Sequence, residues 1–257
     1  MNPVYFILGT PGSGRRGIVR DLIENGLGAD EKAVVLLAES EAADPQDEKL
    51  AALANVEMHR WKWTAPEIPP AKLPHDATVF LFADSRAGPI DQLEALKPWL
   101  ERQGRELARI FTVLDCGLAE KHPVLRQWFD ACIHFSDVVF LTNRSGVGNK
   151  WLSDFLKHFK DERFPCHFVQ VKAKGALPTP LVWLDPTPRR VSQYFEEDYV
   201  DLSDVIIETG DDEDDEGEPI KPGEDDGIIP PEPYFVRQRS GRRDREVPDL
   251  RDIFPAK

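Results

Sequence analysis

The chain has 257 residues, a formal net charge of −14 and 41% hydrophobic residues. Sixteen acidic residues and a single lysine lie between residues 196 and 226, so the first 195 residues are nearly neutral. A neutral main domain without any apolar run of ~20 residues leads us to expect neither a nucleic-acid surface nor a membrane span. Three scattered cysteines without C-x-x-C spacing, and an N-terminus without a signal-peptide pattern, indicate reduced thiols in a cytoplasmic protein.

The first twenty residues contain a glycine-rich loop between a predicted strand and a predicted helix. An apolar run predicts the strand at residues 4–8, and apolar residues at helical spacing begin at Ile18. Glycines in such a loop let backbone N–H groups converge on an anion, which the positive end of the helix dipole also attracts. In the pattern G-x-x-x-x-G-K-[ST], Arg15 replaces the lysine and Arg16 replaces the serine or threonine. The predicted phosphate-binding residues are Gly9, Gly12, Ser13, Gly14, Arg15 and Arg16.

Apolar runs and helical spacing alternate along the rest of the main domain. Further strands are predicted at residues 33–38, 56–63, 78–83, 110–114, 138–141 and 167–171, and helices at 45–53, 90–102, 124–135 and 150–159. This alternation predicts an α/β fold, a three-layer P-loop NTPase-like domain with a mostly parallel sheet. Ligands bind at the carboxyl ends of such strands, where Asp84, Asp115 and Asn143 fall together with the loop.

The C-terminal third departs from this alternation. A helical turn or two is predicted at residues 189–195 and a short strand or docking segment at 205–207, whereas the acidic composition predicts disorder from about 209 to 227. A flexible acidic tail suits contact with a protein partner. The predicted organisation is an α/β domain at residues 1–177, an irregular extension at 178–208 and an acidic, proline-rich flexible tail at 209–257.

Four motifs occur in an order that is known from one family. They are the loop at residues 9–16, Asp84–Pro89, Thr112–Asp115 and Ser136–Arg144. Over residues 4–172 the chain resembles CobW-type GTPases, which are P-loop GTPases linked to metal delivery and to cobalamin or nitrile hydratase maturation. The resemblance implies binding of GTP, with ATP as the alternative, at the loop and at Asn143. It also implies hydrolysis assisted by Mg²⁺, with Asp84 as the catalytic residue.

The departures from the family pattern concern its chemistry. A hydroxyl at position 16 would ligate Mg²⁺, whereas the guanidinium of Arg16 repels it. Asp84 replaces the family's glutamate, and the glycine that follows at Gly88 is one residue further away. Asn143 begins a motif that lacks the aspartate for the guanine edge, and the family's Cys-x-Cys-Cys is absent. These departures disfavour Mg²⁺ and predict no metal-binding residues.

The sequence leaves several functions open. One hypothesis is a degenerate P-loop GTPase-like protein, a nucleotide- or anion-binding regulatory module with little or no hydrolysis. An alternative is an active NTPase in which Arg15 replaces the lysine and Asp84 holds the metal. The acidic run at residues 211–216 could also occupy the loop as an anion mimic, because the charges are complementary. The remaining hypothesis is that the loop serves only as a structural turn.

Overall fold

The computed structural model describes residues 2–172, 175–196 and 231–253. The predicted apolar runs form seven strands, and most of the segments between them are helical. The strands are β1 Pro3–Gly9, β2 Lys32–Ala38, β3 Val56–Trp61, β4 Ala77–Phe82, β5 Glu106–Asp115, β6 Val138–Thr142 and β7 His167–Gln170. The helices are α1 Arg15–Gly26, α2 Pro45–Ala51, α3 Pro89–Gln103, α4 Cys116–Lys121, α5 Leu125–His134, α6 Asn149–Asp161, α7 Pro180–Trp183 and α8 Leu250–Ile253.

All seven strands pair in parallel in the order β3-β2-β4-β1-β5-β6-β7. Strand β1 is central, and its two neighbours are β4 and β5. The chain moves from β1 towards one edge of the sheet through α1 and β2, and later moves from β5 towards the other edge. Strand order therefore reverses beside β1, and the loop after β1 lies at the position where open α/β sheets bind ligands.

Side chains of β1 alternate between the two faces of the sheet, as strand geometry requires. On one face, the ring of Tyr5 stacks between Phe80 and Phe111, with ring centroids 5.2 and 5.4 Å apart. The apolar stripe of α1, including Ile18 and Leu22, packs into the same core. Helices α3 and α5 cover the other face and contact β5. The result is the predicted three-layer arrangement, an α/β fold of the P-loop NTPase-like type, with a sheet that is parallel throughout.

Residues 177–192, here termed the C-terminal clasp, pack onto the sheet and onto α1. The hydroxyl of Tyr5 donates a hydrogen bond to the Leu184 carbonyl at 2.5 Å, and the backbone N–H of Leu177 donates to the Asp21 carboxylate at 2.7 Å. Burial raises the pKa of the Tyr5 hydroxyl above its usual range. The clasp contains helix α7, which packs on α1. The extension that the sequence analysis describes as irregular is thus attached to α1 at Leu177 and to β1 at Leu184.

The predicted helical turn at residues 189–195 is wrong. The fully buried carboxylate of Asp137 accepts hydrogen bonds from the Arg189 backbone N–H at 2.6 Å and from the Arg190 guanidinium at 3.0 Å. The backbone N–H groups of Val191 and Ser192 both donate to the His134 carbonyl, at 3.1 and 3.2 Å. These contacts hold residues 189–192 against Asp137 and the end of α5 in a non-helical conformation.

The described residues divide into two compact units, one of residues 2–172, 175–192 and 246–253 and the other of residues 193–196 and 231–245. Within the described part of the second unit, the rings of Tyr194 and Phe235 lie 4.6 Å apart, and the Arg243 guanidinium lies 5.7 Å from the Phe235 ring. The predictions for residues 205–207, 209–227 and the acidic run 211–216 fall outside the described residues. Among those that are described, no helix is both long and apolar enough to span a membrane.

Candidate phosphate-binding site

The loop between β1 and α1 is built from glycines in conformations that other residues avoid. Gly9, Gly12 and Gly14 have φ angles of 149°, 75° and 89°. At Gly9 the need for glycine is also steric, because a Cβ there would lie 2.8 Å from the Val113 carbonyl oxygen and 2.9 Å from Ser13 Oγ. Strand β1 ends at Gly9 and α1 begins at Arg15, so the predicted strand–loop–helix context is present.

The N-terminus of α1 offers donors without internal acceptors. Gly14 stands at the N-cap, no side chain caps the helix, and no acidic residue lies in its first turn. The first N–H groups of a helix have no partner within it, and the helix dipole makes this end positive. Thr10 Oγ1 and Ser13 Oγ are buried and make no hydrogen bond. Buried hydroxyl groups without partners are costly, so their presence in this loop points to a missing acceptor.

Arg15 is buried and paired with groups of the chain itself. Its side chain is 4% exposed and donates to the Ala83 carbonyl at 2.8 Å and to the Glu41 carboxylate. The guanidinium lies 5.6 Å from the centre of the Phe82 ring. Arg15 thus reaches from the loop to the end of β4, but its charge is neutralised by Glu41.

Arg16 points away from the loop, towards helix α2. Its Nε lies 2.7 Å from Asp47 Oδ1, and its Nη1 lies 3.6 Å from Asp44 Oδ2. Its Nη2 donates to the Ala42 carbonyl at 2.8 Å and lies 3.9 Å from Glu41 Oε2. Three carboxylates therefore surround the two arginines of the loop.

Glu41 links these arginines to the turn after β4. Its side chain is 8% exposed, and Oε1 accepts hydrogen bonds from Arg15 and from the Ser85 hydroxyl, the latter at 2.6 Å. Burial alone would raise the pKa of the Glu41 carboxyl, but the Arg15 charge, the Ser85 hydrogen bond and Arg16 lower it below its usual value. Glu41 is therefore ionised at neutral pH. The sequence interpretation missed Glu41 as a site residue, although its position after β2, at the carboxyl edge of the sheet, was a usable signal.

Asp84, the predicted catalytic residue, stabilises its own turn. Its Oδ1 accepts from the Ser40 hydroxyl at 2.5 Å and from the Arg86 backbone N–H at 2.9 Å. The Asp84 backbone N–H and carbonyl both bond to the Gln92 side-chain amide, at 2.7 and 2.9 Å. Asp84 lies next to Ala83, the residue that Arg15 contacts, so the structure brings these two predicted site residues close together. A catalytic role for Asp84 stays a prediction.

Asn143 lies at the same edge of the sheet, after β6. It adopts a left-handed conformation with a φ of 48°, which asparagine tolerates, and its Nδ2 donates to Asp115 Oδ2 at 2.6 Å. The preceding Thr142 donates its hydroxyl to the Ser13 carbonyl at 2.8 Å, which ties the end of β6 to the loop. Gly146, three residues further on, has no side chain that a base could contact, and a ligand-binding role for Asn143 stays a prediction.

The residues at the loop do not fit Mg²⁺. P-loop NTPases hold this ion with a hydroxyl at the position of Arg16 and with a strand-end carboxylate. Here the Arg16 guanidinium is fixed by carboxylates, and Asp84 Oδ1 accepts two internal hydrogen bonds. Across residues 2–172, 175–196 and 231–253, no group of three or more His, Cys, Asp or Glu is arranged to hold a metal ion.

The comparisons with known proteins concern the fold. No protein-family profile and no curated protein matches the chain. The chain is similar to the solved structure of the Zn(II)-bound YjiA GTPase from E. coli, with 13% identity, 71% of this chain and 61% of that chain covered, and a TM-score of 0.39. It is also similar to the signal recognition particle receptor FtsY from Elizabethkingia anophelis, with 13% identity, coverage of 72% and 65%, and a TM-score of 0.45. For FtsY from Mycoplasma mycoides these values are 11%, 72% and 67%, and 0.43.

The chain thus spans between three fifths and about two thirds of the length of these proteins. Identities and TM-scores this low support no further conclusion, so the description of the fold rests on the strand order and on the β1–α1 loop. The strand order and the loop together define a parallel α/β fold with a strand–glycine loop–helix unit of the P-loop type.

Proposed function

We propose that this chain is a non-hydrolysing P-loop protein that binds a phosphate-bearing ligand, a nucleotide, as a binding or regulatory module. The observation that carries the proposal is the combination of an uncapped α1 N-terminus with two buried, unpartnered hydroxyls in the same loop. Loop amides and the hydroxyls of Thr10 and Ser13 donate to the phosphate oxygens, and the helix dipole adds attraction. GTP is the nucleotide that the order of the motifs implies, and ATP is the alternative.

The absence of hydrolysis follows from the charges around the loop. Phosphoryl transfer needs positive charge that stabilises the transferring group in the transition state. Arg16, which replaces the hydroxyl that would hold Mg²⁺, is engaged by Asp47, and the side chains at the loop do not fit this ion. A bound nucleotide is therefore held without the metal charge that would promote its hydrolysis. Contact of the acidic tail with a protein partner, and a cytoplasmic location, are further predictions from composition.

Thermal unfolding of the full chain with GTP, ATP or inorganic phosphate, each with and without Mg²⁺, tests the proposal. A ligand at ~100 times its Kd stabilises the native state by about 2.7 kcal/mol, which is readily measured as a shift in Tm. We expect a shift that does not depend on Mg²⁺, and no release of phosphate over hours.

Two results would overturn the proposal. A shift that requires Mg²⁺, with turnover that is lost in Arg15→Ala and Asp84→Ala, would establish an active NTPase. No shift with any of the three ligands would mean that the loop is a structural turn only.

A further inference from the structure

The carboxylate of Glu41 is placed like a ligand of the loop. It contacts the Arg15 guanidinium, which stands where a P-loop lysine would reach the phosphates, and both side chains are at least nine-tenths buried. The Arg15 side chain lies along the loop, since its Cδ would be 3.0 Å from a Cβ on Gly9. The Arg15 side chain therefore passes beside the loop before it reaches Glu41.

The segment that carries Glu41 is held against the loop by further charges. Arg16 is paired with Asp47 and Asp44 of the α2 N-terminus, and Arg60 donates to the Glu41 carbonyl at 3.2 Å and to Asp47 Oδ2 at 3.2 Å. Asp44 also caps α2 by accepting from the Gln46 backbone N–H at 2.8 Å. The β2–α2 segment, residues 39–47, is thus bound to Arg15 and Arg16 by ion pairs, and to β3 through Arg60.

We propose that Glu41 is an internal anion that competes with the ligand for Arg15, so that residues 39–47 form a gate over the phosphate site. This inference rests on the proposed function, since it requires a phosphate to bind in the loop. A phosphate group carries up to two negative charges and offers several oxygens, whereas Glu41 offers one charge. Bound phosphate takes Arg15 from Glu41, and the released carboxylate is then repelled by the ligand, which loosens the segment from the loop.

The test compares Glu41→Gln with Glu39→Gln, a control that removes the same charge from an exposed side chain of the same segment. Binding of inorganic tripolyphosphate and of GTP to each full-length protein is measured by calorimetry at low ionic strength. We expect Glu41→Gln to bind both probes about tenfold more tightly than the wild type, since the competing anion is gone. Glu39→Gln is expected to bind within about twofold of the wild type.

Ser85→Ala keeps the test decisive if Glu41→Gln is poorly folded, and a double variant tests the role of Arg15. Ser85→Ala removes the hydrogen bond that orients Glu41 and is expected to raise the affinity by a few fold. Combining Glu41→Gln with Arg15→Gln is expected to abolish the gain, because Arg15 is the group that Glu41 occupies.

Equal binding by the wild type, Ser85→Ala and Glu41→Gln would overturn the gate and leave the proposed function intact. Binding by none of these proteins would overturn both. A gain in Glu39→Gln as large as that in Glu41→Gln would show a general charge effect and would also overturn the gate.

Discussion

The Ser13 hydroxyl makes no hydrogen bond in the free protein. Its removal is therefore expected to raise the stability of the free protein and to lower its affinity for phosphate. The hydroxyl is buried and unbonded, so Ser13→Ala is expected to raise the free energy of unfolding by about 1 kcal/mol. The same change removes a donor to the ligand and is expected to weaken phosphate binding by about tenfold. Chemical denaturation without ligand and calorimetry with tripolyphosphate measure the two effects.

Ser136→Ala is the matched control for this prediction. The Ser136 hydroxyl is equally buried, but it bonds to the Cys132 carbonyl and to Thr112 Oγ1, both at 2.7 Å. Its loss is expected to lower the free energy of unfolding by about 1–2 kcal/mol and to leave phosphate binding unchanged. A stability loss in both variants would show that the Ser13 hydroxyl supports the loop rather than a ligand.

Ionisation of Glu41 makes part of the stability dependent on pH. The pKa of its carboxyl is lower in the folded chain than in the unfolded chain, so the stabilisation is complete above the unfolded pKa and is lost as the pH falls through the folded pKa. At pH 7 we expect Glu41→Gln to be less stable than the wild type by about 2 kcal/mol. The difference is expected to narrow below about pH 4, as denaturation series from pH 7 to pH 3 can show. A difference that stays constant over this range would contradict the assignment.

Among the secondary-structure elements, the clasp depends on one buried carboxylate. Asp137 is fully buried, and its Oδ2 accepts from the Ile110 backbone N–H at 2.7 Å and from Arg190, whose side chain is 4% exposed. Asp137→Asn removes the negative charge of a buried ion pair and changes a group that accepts hydrogen bonds from two segments of the chain, and it is expected to lower the free energy of unfolding by about 3 kcal/mol. Denaturant titration measures this loss, and Asp154→Asn, an exposed change on α6, serves as the control. Equal stability of the two variants would contradict this role of Asp137.

The long elements could be predicted from the sequence because their patterns are local. Strands β1, β2, β4, β5 and β6 contain nearly continuous apolar runs, and α1, α3 and α6 repeat apolar residues at helical spacing. Helices α4 and α7 were missed, since they have six and four residues and too few turns for a period to appear. The error at residues 189–195 has a tertiary cause, because Asp137 is 52 residues away from the N–H that it binds.

At the site, too, local sequence patterns predict some features, whereas others depend on contacts between distant parts of the chain. The carboxyl-edge positions of the loop, Asp84 and Asn143 could be predicted, since parallel strands bring their ends together. The pairing of Arg15 with Glu41 could not, because 26 residues separate them and charge alone left Asp44, Asp47 and the acidic tail as competing partners. Composition favoured the acidic run at residues 211–216 as the anion at the loop, whereas the structure places the Glu41 carboxylate there.

At the scale of the whole molecule, the three cysteines report on global unfolding. All three are buried, and burial raises the pKa of the Cys116 and Cys166 thiols to about 12 and that of Cys132 well above its usual value. Because only an accessible thiolate reacts, we expect none of them to react with a thiol reagent at pH 8 until the chain unfolds. Absorbance of the released reagent in native buffer and in denaturant measures this, and Lys157→Cys, at an exposed position on α6, is the reactive control. Rapid labelling of the native wild type would contradict the buried placement.

The clasp also sets the order in which the protein can mature on the ribosome. Synthesis proceeds from the N-terminus, and the residues emerging first begin to fold first. All seven strands have been made by residue 170, yet Tyr5, Arg109 and Asp137 then still lack the partners that residues 182–190 provide. The sheet of the nascent chain cannot complete these contacts until residues 182–190 have been made. The 16 acidic residues of 196–226 are translated directly after the clasp. A chain whose translation stops near residue 177 would therefore leave the ribosome with buried polar groups uncovered, and would be a substrate for quality-control proteolysis.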